Sequence, residues 1–386
     1  MSPAPNAQNQ PIVVLTASPW DEPKRLRKQL AELLAKDSDV VYVTLPQGLR
    51  KPARNTDHME GRIRILSLAG PLLPLRLIAC SSILRAVYGR LLAWRLLRRL
   101  HGLGPVGTVF CFTPDYPFVV AAFNSEALTI YVANDDHASM AGSEAARAAI
   151  QLNEAEVIAH SDRVISVSAV IARRLEMHGK PVHVMYPGHD CEALPLHRFE
   201  TEQRVPDSVC FFGYIDWRVD FDLLGFLLRS GRHVSLVGPV VGTAQQIAAL
   251  QARFPDRFEL HPAMATERAP DLLTRFEVLI IPYRYRSTEQ AEVMELPNKT
   301  FIYFSALRPI VTTYMPNLKM VQPGLIYRSK SHEDFLANCV KAVAEDSMEH
   351  AEERRRIAEQ NTWESRRVTL RSLLRAADAA RVRLAS

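Results

Sequence analysis

Short apolar runs rich in β-branched residues alternate with helical stretches along almost the whole chain, and this alternation constrains the fold most strongly. Residues 12–17 predict a strand, the spaced leucines of residues 24–36 predict a helix, and residues 40–43 predict the next strand. Such a β-α-β unit requires a right-handed crossover between parallel strands. The chain is therefore predicted to be an α/β protein built on parallel sheets.

The alternation is interrupted once. Residues 197–207 are polar and are predicted to be a linker, after which strands and helices resume and continue to residue 313. The length of 386 residues also favours more than one domain. We predict two doubly wound, Rossmann-like domains facing a central cleft, over residues 1–195 and 196–360, followed by a helix over residues 361–386 that Trp363 opens.

Several function classes lose support from the sequence. The five cysteines form no C-x-x-C pair, so neither a disulfide framework nor a zinc knuckle is indicated, and a reduced cytoplasmic setting is favoured. No G-x-G-x-x-G follows the first strand, and no P-loop motif occurs. Residues 1–11 do not have the pattern of a secretory signal, and no apolar run reaches the roughly 20 residues of a membrane span.

Charge is distributed unevenly. The net charge is only +5, yet residues 61–114 contain eight arginines and no acidic residue, in a leucine-rich context. An anionic membrane surface or a lipid phosphate would attract such a segment, whereas a buried helix pair with solvated arginines is the alternative interpretation. Leucine rather than stacking aromatics separates the arginines, which disfavours nucleic acid as a partner. The residues expected to contact a membrane or a lipid-linked ligand are Trp20, Arg85, Arg90, Trp94, Arg95 and Arg98.

Two adjacent carboxylates follow a predicted strand in the first half. Asp135 and Asp136 come directly after residues 128–133, and ligands of doubly wound sheets bind at the carboxyl ends of the strands. One carboxylate could cap the next helix while the other acts as a general base. A metal site would need ligands beyond Asp135, Asp136 and His137, so we expect no metal cofactor.

The second half offers glycines and a lysine at corresponding places. Gly213 and Gly238 each follow a predicted strand and would let the backbone approach a ligand closely. Pro297 and Asn298 are predicted to open a helix whose first turn carries Lys299, which would create an anion site. An ordinary helix with a surface lysine is the alternative interpretation.

These motifs, in this order, resemble a known family. The motifs that carry the resemblance are Tyr131-x-x-x-Asp135-Asp136, Phe212-Gly213, Val237-Gly238, Pro282-Tyr-Arg284 and Pro297-x-Lys299-x-Phe-x-Tyr303. They are similar to those of bacterial GT-B glycosyltransferases of surface-polysaccharide synthesis, including the membrane-associated glucuronosyltransferase of xanthan synthesis. The helix opened by Trp363 is similar to the family's helix that crosses back to the first domain.

The resemblance implies transfer of a sugar from a nucleotide sugar, UDP-linked, to a polyprenyl-diphosphate-linked oligosaccharide, on the inner face of the cell membrane. It implies that Asp135 is the base, with Asp136 as the alternative, and that Lys299 binds the donor diphosphate. The residues that it places at the donor are Gly213, Tyr214, Gly238, Tyr283, Arg284, Asn298 and Lys299.

One departure from the family bears on stereochemistry. Many retaining relatives carry two glutamates eight residues apart, and the corresponding positions here are Met294 and Ile302. Their absence favours an inverting mechanism. Two other functions stay open from the sequence: a catalytically silent relative that acts as a binding or scaffold subunit, and a sugar-nucleotide epimerase of the same architecture.

Overall fold

Parallel strand pairing organises both halves of the chain. The computed structural model describes residues 10–22, 25–46, 56–69, 82–123 and 127–385, and the side chains of residues 82, 85 and 375–385 lie outside this description. The chain divides into two units. Unit 1 comprises Met1–Tyr186 with Arg367–Ser386, and unit 2 comprises Pro187–Arg366.

The sheet of unit 1 has eight strands in the described ranges, in the order β3-β4-β2-β1-β5-β6-β7-β8. All neighbours are parallel except β3 and β4, which form an antiparallel hairpin. β1, β2 and β6 are buried at every position, as their continuous Val, Ile and Leu runs require. The strands are β1 Ile12–Thr16, β2 Val40–Thr44, β3 Thr56–Glu60, β4 Ile63–Ser67, β5 Thr108–Cys111, β6 Leu128–Ala133, β7 Arg163–Ser166 and β8 Val182–Val184.

Helices connect these strands. They are α1 Leu26–Ala35, α2 Ser82–Leu100, α3 Pro117–Ala121, α4 Glu144–Ala159 and α5 Ala169–Glu176, with a 3-10 turn at His101–Leu103. Serine hydroxyls cap two of them: Ser143 accepts a hydrogen bond from the backbone N of Ala146, and Ser168 accepts one from Val170.

The sheet of unit 2 has six strands in the order β11-β10-β9-β12-β13-β14, and all of them are parallel. Numbered within the unit, this is the order 3-2-1-4-5-6 of dinucleotide-binding folds, which reverses direction between its first and fourth strands. The strands are β9 Val205–Phe212, β10 His233–Val237, β11 Phe258–His261, β12 Phe276–Ile281, β13 Ile310–Thr313 and β14 Ile326–Ser329.

One large buried apolar cluster forms the core of unit 2, and all six strands and most of the helices contribute to it. The helices of unit 2 are α6 His197–Thr201, α7 Phe221–Arg229, α8 Ala244–Arg253, α9 Ala269–Leu273, α10 Thr288–Glu292, α11 Thr300–Ser305, α12 His332–Ala344 and α13 Met348–Gln360, with a 3-10 turn at Thr266–Arg268. The last helix, α14 Trp363–Ala385, begins in unit 2, and its residues from Arg367 onward group with unit 1. There, Arg367 and Arg371 both hydrogen-bond the Asp37 carboxylate.

The predicted α/β class with two parallel sheets is confirmed, and three details differ. The predicted linker at residues 197–207 is instead the short helix α6 and the start of β9. The units divide at Tyr186 and Pro187 rather than after residue 195. The β3–β4 hairpin, which includes part of the basic segment 61–114, was not predicted, because β3 is exposed at all five positions and has no apolar pattern.

Candidate functional site

The two central strands of unit 2 separate at their carboxyl ends. β9 and β12 pair up to Cys210 and Leu279, whereas β9 pairs with β10 up to Phe212 and β12 pairs with β13 up to Ile281. This is the point at which the strand order reverses, where doubly wound sheets bind ligands.

The phenol of Tyr303 lies in the gap between these strands. Its oxygen accepts a hydrogen bond from the backbone N of Phe212 at 2.8 Å and donates to the carbonyl of Ile280 at 3.2 Å. Burial raises the pKa of Tyr303 well above its usual value, so the hydroxyl keeps its proton. One buried hydroxyl therefore replaces the strand-to-strand hydrogen bonds and opens the crevice.

Lys299 lies in this crevice and is only 8% exposed. Its ammonium donates a hydrogen bond to the Tyr283 hydroxyl and lies 4.4 Å from the ring centroids of both Phe211 and Tyr283. Burial lowers the pKa of Lys299, while Tyr283 and the carboxylate of Asp216 oppose that shift. Because its hydrogen-bond partner is a phenol and not a carboxylate, the ammonium is suited to bind an added anion.

The position of Lys299 corrects one prediction. α11 begins at Thr300 and not at Pro297, and Lys299 is the residue immediately before the helix. The backbone N of Thr300 already donates to the carbonyl of Pro297 at 2.9 Å. The amide of Thr300 is thus not available to a ligand, and the role of the Lys299 ammonium as an anion-binding group stays a prediction.

Two glycines form the wall of the crevice with their backbones. Gly213 has φ +139° and Gly238 has φ +138°, values that favour glycine. A Cβ on Gly238 would lie 2.1 Å from the carbonyl oxygen of Gly213, and a Cβ on Gly213 would lie 3.3 Å from Cε and Nζ of Lys299. Both glycines are thus required where the loops after β9 and β10 approach each other and the lysine.

A second cation of the crevice, Arg218, was missed from the sequence. Its Nε and Nη2 donate to the Asp216 carboxylate, at 3.0 and 2.6 Å, and its guanidinium lies 5.6 Å from the Tyr283 ring centroid. Burial raises the pKa of Asp216, but the hydrogen bonds from Arg218 outweigh burial and the pKa is lowered. The signal that could have identified Arg218 is its place in the loop that follows the first strand of unit 2.

The other predicted donor residues lie beside this cluster. Tyr214 is half-buried next to Gly213, and the side chains of Arg284 and Asn298 are exposed. The backbone N of Arg284 donates to the carbonyl of Arg218 at 2.7 Å, which joins the two loops. Contact of these three side chains with a donor stays a prediction.

The two predicted catalytic carboxylates of unit 1 have different surroundings. Asp136 is 8% exposed, accepts a hydrogen bond from the backbone N of Ser139 at 3.3 Å and lies 3.6 Å from the guanidinium of Arg174. Asp135 is exposed and accepts a hydrogen bond from Asn134 at 3.1 Å. Asp135 is thus the accessible carboxylate, and its role as a base stays a prediction.

A buried network holds Asp136 in place. The Tyr131 hydroxyl donates to Glu154 at 2.8 Å, and Arg174 donates to the other oxygen of Glu154 at 2.6 Å. Arg174 therefore connects the buried Glu154 to Asp136 at the carboxyl end of β6. Within the described residues, no three His, Cys, Asp or Glu side chains are grouped to hold a metal ion. The expectation that the reaction needs no metal stays a prediction.

The residues predicted to contact the acceptor or the membrane fall into two places. Trp20 is buried: its indole N donates to Glu60 at 2.7 Å, and Lys28 lies 4.3 Å from its ring centroid. A buried indole cannot lie against a membrane, so that part of the expectation for Trp20 is wrong, and contact of Trp20 with an acceptor stays a prediction.

The arginines and Trp94 lie on α2, which is two-sided. One face, including Leu92 and Leu96, is buried, and a second apolar stripe is exposed. The stripe consists of Ile83, Val87, Leu91 and Trp94. The buried face agrees with the buried-helix interpretation, and membrane contact through the exposed stripe stays a prediction. None of the helices within the described ranges has both the length and the apolar character of a membrane span.

Around the stripe, Arg90 and Arg98 are exposed, and the Arg98 guanidinium lies 4.7 Å from the Trp94 ring centroid. Arg95 donates to the carbonyl of Ala69 at 3.1 Å. The Arg85 side chain lies outside the described residues.

Comparison with known proteins gives one matching relative at modest identity. The putative teichuronic acid biosynthesis glycosyltransferase TuaH of Bacillus subtilis is 23% identical over 236 residues. The match covers 57% of this chain and 58% of TuaH, so the chain spans little more than half the length of that relative. No protein-family model matches the chain.

Solved structures match over nearly the full length. Sucrose-phosphate synthase from Thermosynechococcus elongatus matches with a TM-score of 0.68 and 15% identity, over 96% of this chain and 100% of that one. The chain has the GT-B fold. A second GT-B structure, Anabaena HepE in complex with UDP-glucose, matches with a TM-score of 0.62 and 13% identity, over 96% of this chain and 100% of that one. The predicted GT-B fold is confirmed, and the narrower likeness to the xanthan glucuronosyltransferase stays a prediction.

Proposed function

We propose that this GT-B protein is a glycosyltransferase whose unit 2 binds a nucleotide-sugar donor. The observation that carries the proposal is the Lys299 ammonium, which is buried at the switch point of the unit 2 sheet and hydrogen-bonded to the phenol of Tyr283. The diphosphate of a nucleotide sugar would supply an anion for this ammonium, whose own hydrogen-bond partner is a phenol. Gly213 and Gly238 let the loops after β9 and β10 approach each other and this ammonium at the same place.

The proposed donor is a UDP-sugar. The GT-B structure of HepE is a complex with UDP-glucose, and this likeness in fold supports the same class of donor here. Lys299 and Arg218 would bind the two phosphates, since each can give charge-assisted hydrogen bonds to phosphate oxygens.

The proposed acceptor is a polyprenyl-diphosphate-linked oligosaccharide at the inner face of the cell membrane. The exposed apolar stripe of α2 with Arg90 and Arg98 beside it supports membrane contact, because apolar and basic residues together bind anionic interfaces. The relative TuaH is described as a putative glycosyltransferase of teichuronic acid biosynthesis, which supports a role in polysaccharide synthesis.

The proposed chemistry is a single displacement with inversion. The acceptor hydroxyl oxygen forms a bond to the anomeric carbon of the donor, and Asp135 takes the proton of that hydroxyl. The bond between the anomeric carbon and the diphosphate oxygen breaks, and its electron pair leaves with UDP. Lys299 and Arg218 would stabilise the charge that develops on that oxygen. Ile302 and Met294, in place of the glutamates of retaining relatives, support inversion.

Calorimetry with UDP, GDP and ADP tests the donor site on wild type, Lys299→Met and the control Lys341→Met, which removes an exposed lysine of α12 in the same unit. We expect UDP to bind best and Lys299→Met to weaken it about 10- to 100-fold, the value of one or two charge-assisted hydrogen bonds. Lys341→Met should bind UDP as wild type does.

Failure of all three nucleotides to bind would contradict the proposal and favour a scaffold subunit. Conversion of a UDP-sugar to its epimer without an acceptor would instead indicate an epimerase. Transfer to a lipid-linked acceptor, with the product anomer determined by NMR, would decide the acceptor and the stereochemistry.

A further inference from the structure

A basic cavity lies at the end of the apolar stripe of α2. It has a volume of about 290 Å³ and is lined by Leu68, Trp94, Arg95, Arg98 and Arg99. Leu68 follows β4, and the other four residues belong to the last two turns of α2. Small-molecule sites are commonly about 300–1,000 Å³, so this cavity has room for a headgroup but not for a whole nucleotide sugar.

The charges around the cavity are strongly unbalanced. The carboxylate of Asp57 lies near one of the lining arginines, Arg99, and Arg64 already holds that carboxylate with two hydrogen bonds of 2.7 Å. Arg99 lies 3.6 Å from Asp57, beyond hydrogen-bonding distance. Arg95 uses one N–H on the carbonyl of Ala69. Since a guanidinium has five N–H donors, most donors of these arginines remain to bind an anion.

The position of the cavity favours an anion that belongs to a membrane. Trp94 lines the cavity and also ends the exposed stripe of Ile83, Val87 and Leu91. With this stripe in the acyl boundary, α2 would lie in the interface plane and Trp94 at the headgroup level, where tryptophan is enriched. The cavity would then open at the depth of the lipid phosphates.

We propose that this cavity is a specific site for the terminal phosphate or diphosphate of an anionic membrane lipid. The inference deepens the membrane contact of the proposed function and rests on it. It makes a sharper claim than general attraction between basic residues and an anionic surface. A phosphomonoester presents three unesterified oxygens to the three lining arginines, whereas a phosphodiester presents two, so the site should prefer an exposed phosphomonoester to a phosphodiester of equal charge.

The test measures this preference as a ratio. Full-length protein, without donor, is sedimented with phosphatidylcholine vesicles that contain phosphatidic acid or, at equal net charge, phosphatidylglycerol. We expect wild type to bind the phosphatidic acid vesicles about tenfold more tightly, the value of one charge-assisted hydrogen bond. Equal binding of the two vesicle types would overturn the proposal.

Three variants distinguish a specific phosphate site in the cavity from general attraction between basic residues and an anionic membrane. Arg98→Gln and Arg98→Lys should bring the preference to within about twofold, since lysine keeps the charge but loses the paired donors. Arg90→Gln removes a charge from the same helix outside the cavity. It should weaken binding to both vesicles by about fivefold, the share of one arginine near an anionic surface, and leave the ratio unchanged. A ratio that changes equally in Arg90→Gln would overturn the proposal.

A soluble competitor identifies the source of the phosphate. The preference should persist in inorganic phosphate at matched ionic strength, because the apolar stripe also binds the bilayer. Its abolition by inorganic phosphate would show a site for soluble anions and overturn the lipid assignment. UDP binding, measured in parallel, reports on unit 2 alone. Loss of the lipid preference with UDP binding retained would contradict only the cavity proposal, and loss of UDP binding with the preference retained would contradict only the donor site.

Discussion

The two sheets of this protein have the same strand order around their centre, but only one of them opens there. In unit 1 the central strands β1 and β5 pair up to Leu15 and Cys111, and the backbone N of Phe112 continues the pairing with a hydrogen bond of 2.9 Å to Leu15. In unit 2 the corresponding strands β9 and β12 separate and hold the Tyr303 hydroxyl between them. The same topology therefore yields a closed centre in one unit and a crevice in the other.

The loops that follow the central strands β1 and β9 also differ in what lies against the backbone immediately after each strand. After β1, the backbone N of Ser18 donates a hydrogen bond to the Thr16 hydroxyl, and the Ser18 carbonyl accepts one from the Tyr42 hydroxyl at 3.1 Å. The backbone groups of Ser18 therefore already have hydrogen-bond partners within unit 1. After β9, Gly213 has no side chain, and Lys299 lies against its Cα. Strand order thus fixes where a ligand could bind, and a few side chains decide whether there is room and charge for it.

The largest expected effect is on turnover, because the proposed base lies in unit 1 and the proposed donor site lies in unit 2. Asp135→Asn should lower the turnover number by about 10²- to 10⁴-fold, the usual contribution of a general base, because the amide cannot take the acceptor's proton. UDP affinity should stay unchanged, since the crevice that holds Lys299 lies in unit 2. Steady-state kinetics together with calorimetry measures both quantities.

The neighbouring carboxylate provides the matched control. Asp136→Asn keeps the shape of the side chain that accepts from Ser139 but weakens the pairing with Arg174, so it should change turnover far less than Asp135→Asn. The base assignment fails if the Asp135→Asn enzyme turns over at the wild-type rate.

The next effect concerns the crevice wall. Gly238→Ala should destabilise unit 2 by about 3 kcal/mol or more and abolish UDP binding, because the new Cβ would lie 2.1 Å from the Gly213 carbonyl oxygen in a strained backbone conformation. Gly242 also has a positive φ, +73°, but a Cβ there meets nothing within 4 Å. Gly242→Ala should therefore cost only about 1 kcal/mol of strain. Urea denaturation compares the two, and equal costs would show that the close approach of the loops is unimportant.

Much of this architecture could be predicted from the sequence. Apolar runs such as residues 12–16, 208–212 and 234–237 predict strands because they are buried on both faces of a sheet. Gly213, Gly238 and Lys299 stand out because they follow predicted strands or lie at the predicted start of a helix. The roles of Tyr303 and Arg218 could not be predicted in this way. Both depend on β9 and β12 becoming neighbours, although they are more than 60 residues apart in the sequence, and that pairing is set by the whole sheet.

Predictions from local sequence patterns were wrong at two places, Trp20 and the start of α11. Trp20 carries the signature of a ligand-contacting aromatic at a strand end, but Lys28, Tyr42 and Glu60 enclose it. α11 starts three residues later than its proline suggests, because the Thr300 amide closes a turn onto Pro297. The burial of Trp20 thus depends on residues far from it in the sequence, and the start of α11 depends on a backbone hydrogen bond that the proline does not reveal.

The buried ammonium predicts a pH dependence of opposite sign for binding and stability. Burial lowers the pKa of Lys299, so with rising pH the ammonium is lost earlier than that of an exposed lysine, and UDP affinity should fall by up to tenfold per pH unit above that pKa. The unfolded chain holds this proton more tightly than the native one. The free energy of unfolding should therefore rise with pH between the native and the unfolded pKa of Lys299. Both slopes should vanish in Lys299→Met, and a decline in affinity that persists in this variant would assign it to another group.

The smallest expected effect comes from removing one tyrosine hydroxyl at the centre of each sheet, that of Tyr303 in unit 2 and that of Tyr42 in unit 1. Tyr303→Phe leaves the buried N–H of Phe212 without its partner and should cost about 1–2 kcal/mol of stability, and it should weaken UDP binding because β9 and β12 lose the group that spaces them. Tyr42→Phe in unit 1 removes a single bond to the Ser18 carbonyl, and should cost about 1 kcal/mol or less and leave UDP binding unchanged. Denaturation and calorimetry on both variants measure the difference. If both variants bind UDP as wild type does, the hydroxyl of Tyr303 only fills the gap, and the separation of β9 and β12 must be maintained by the packing of Phe211 and Tyr283 around Lys299.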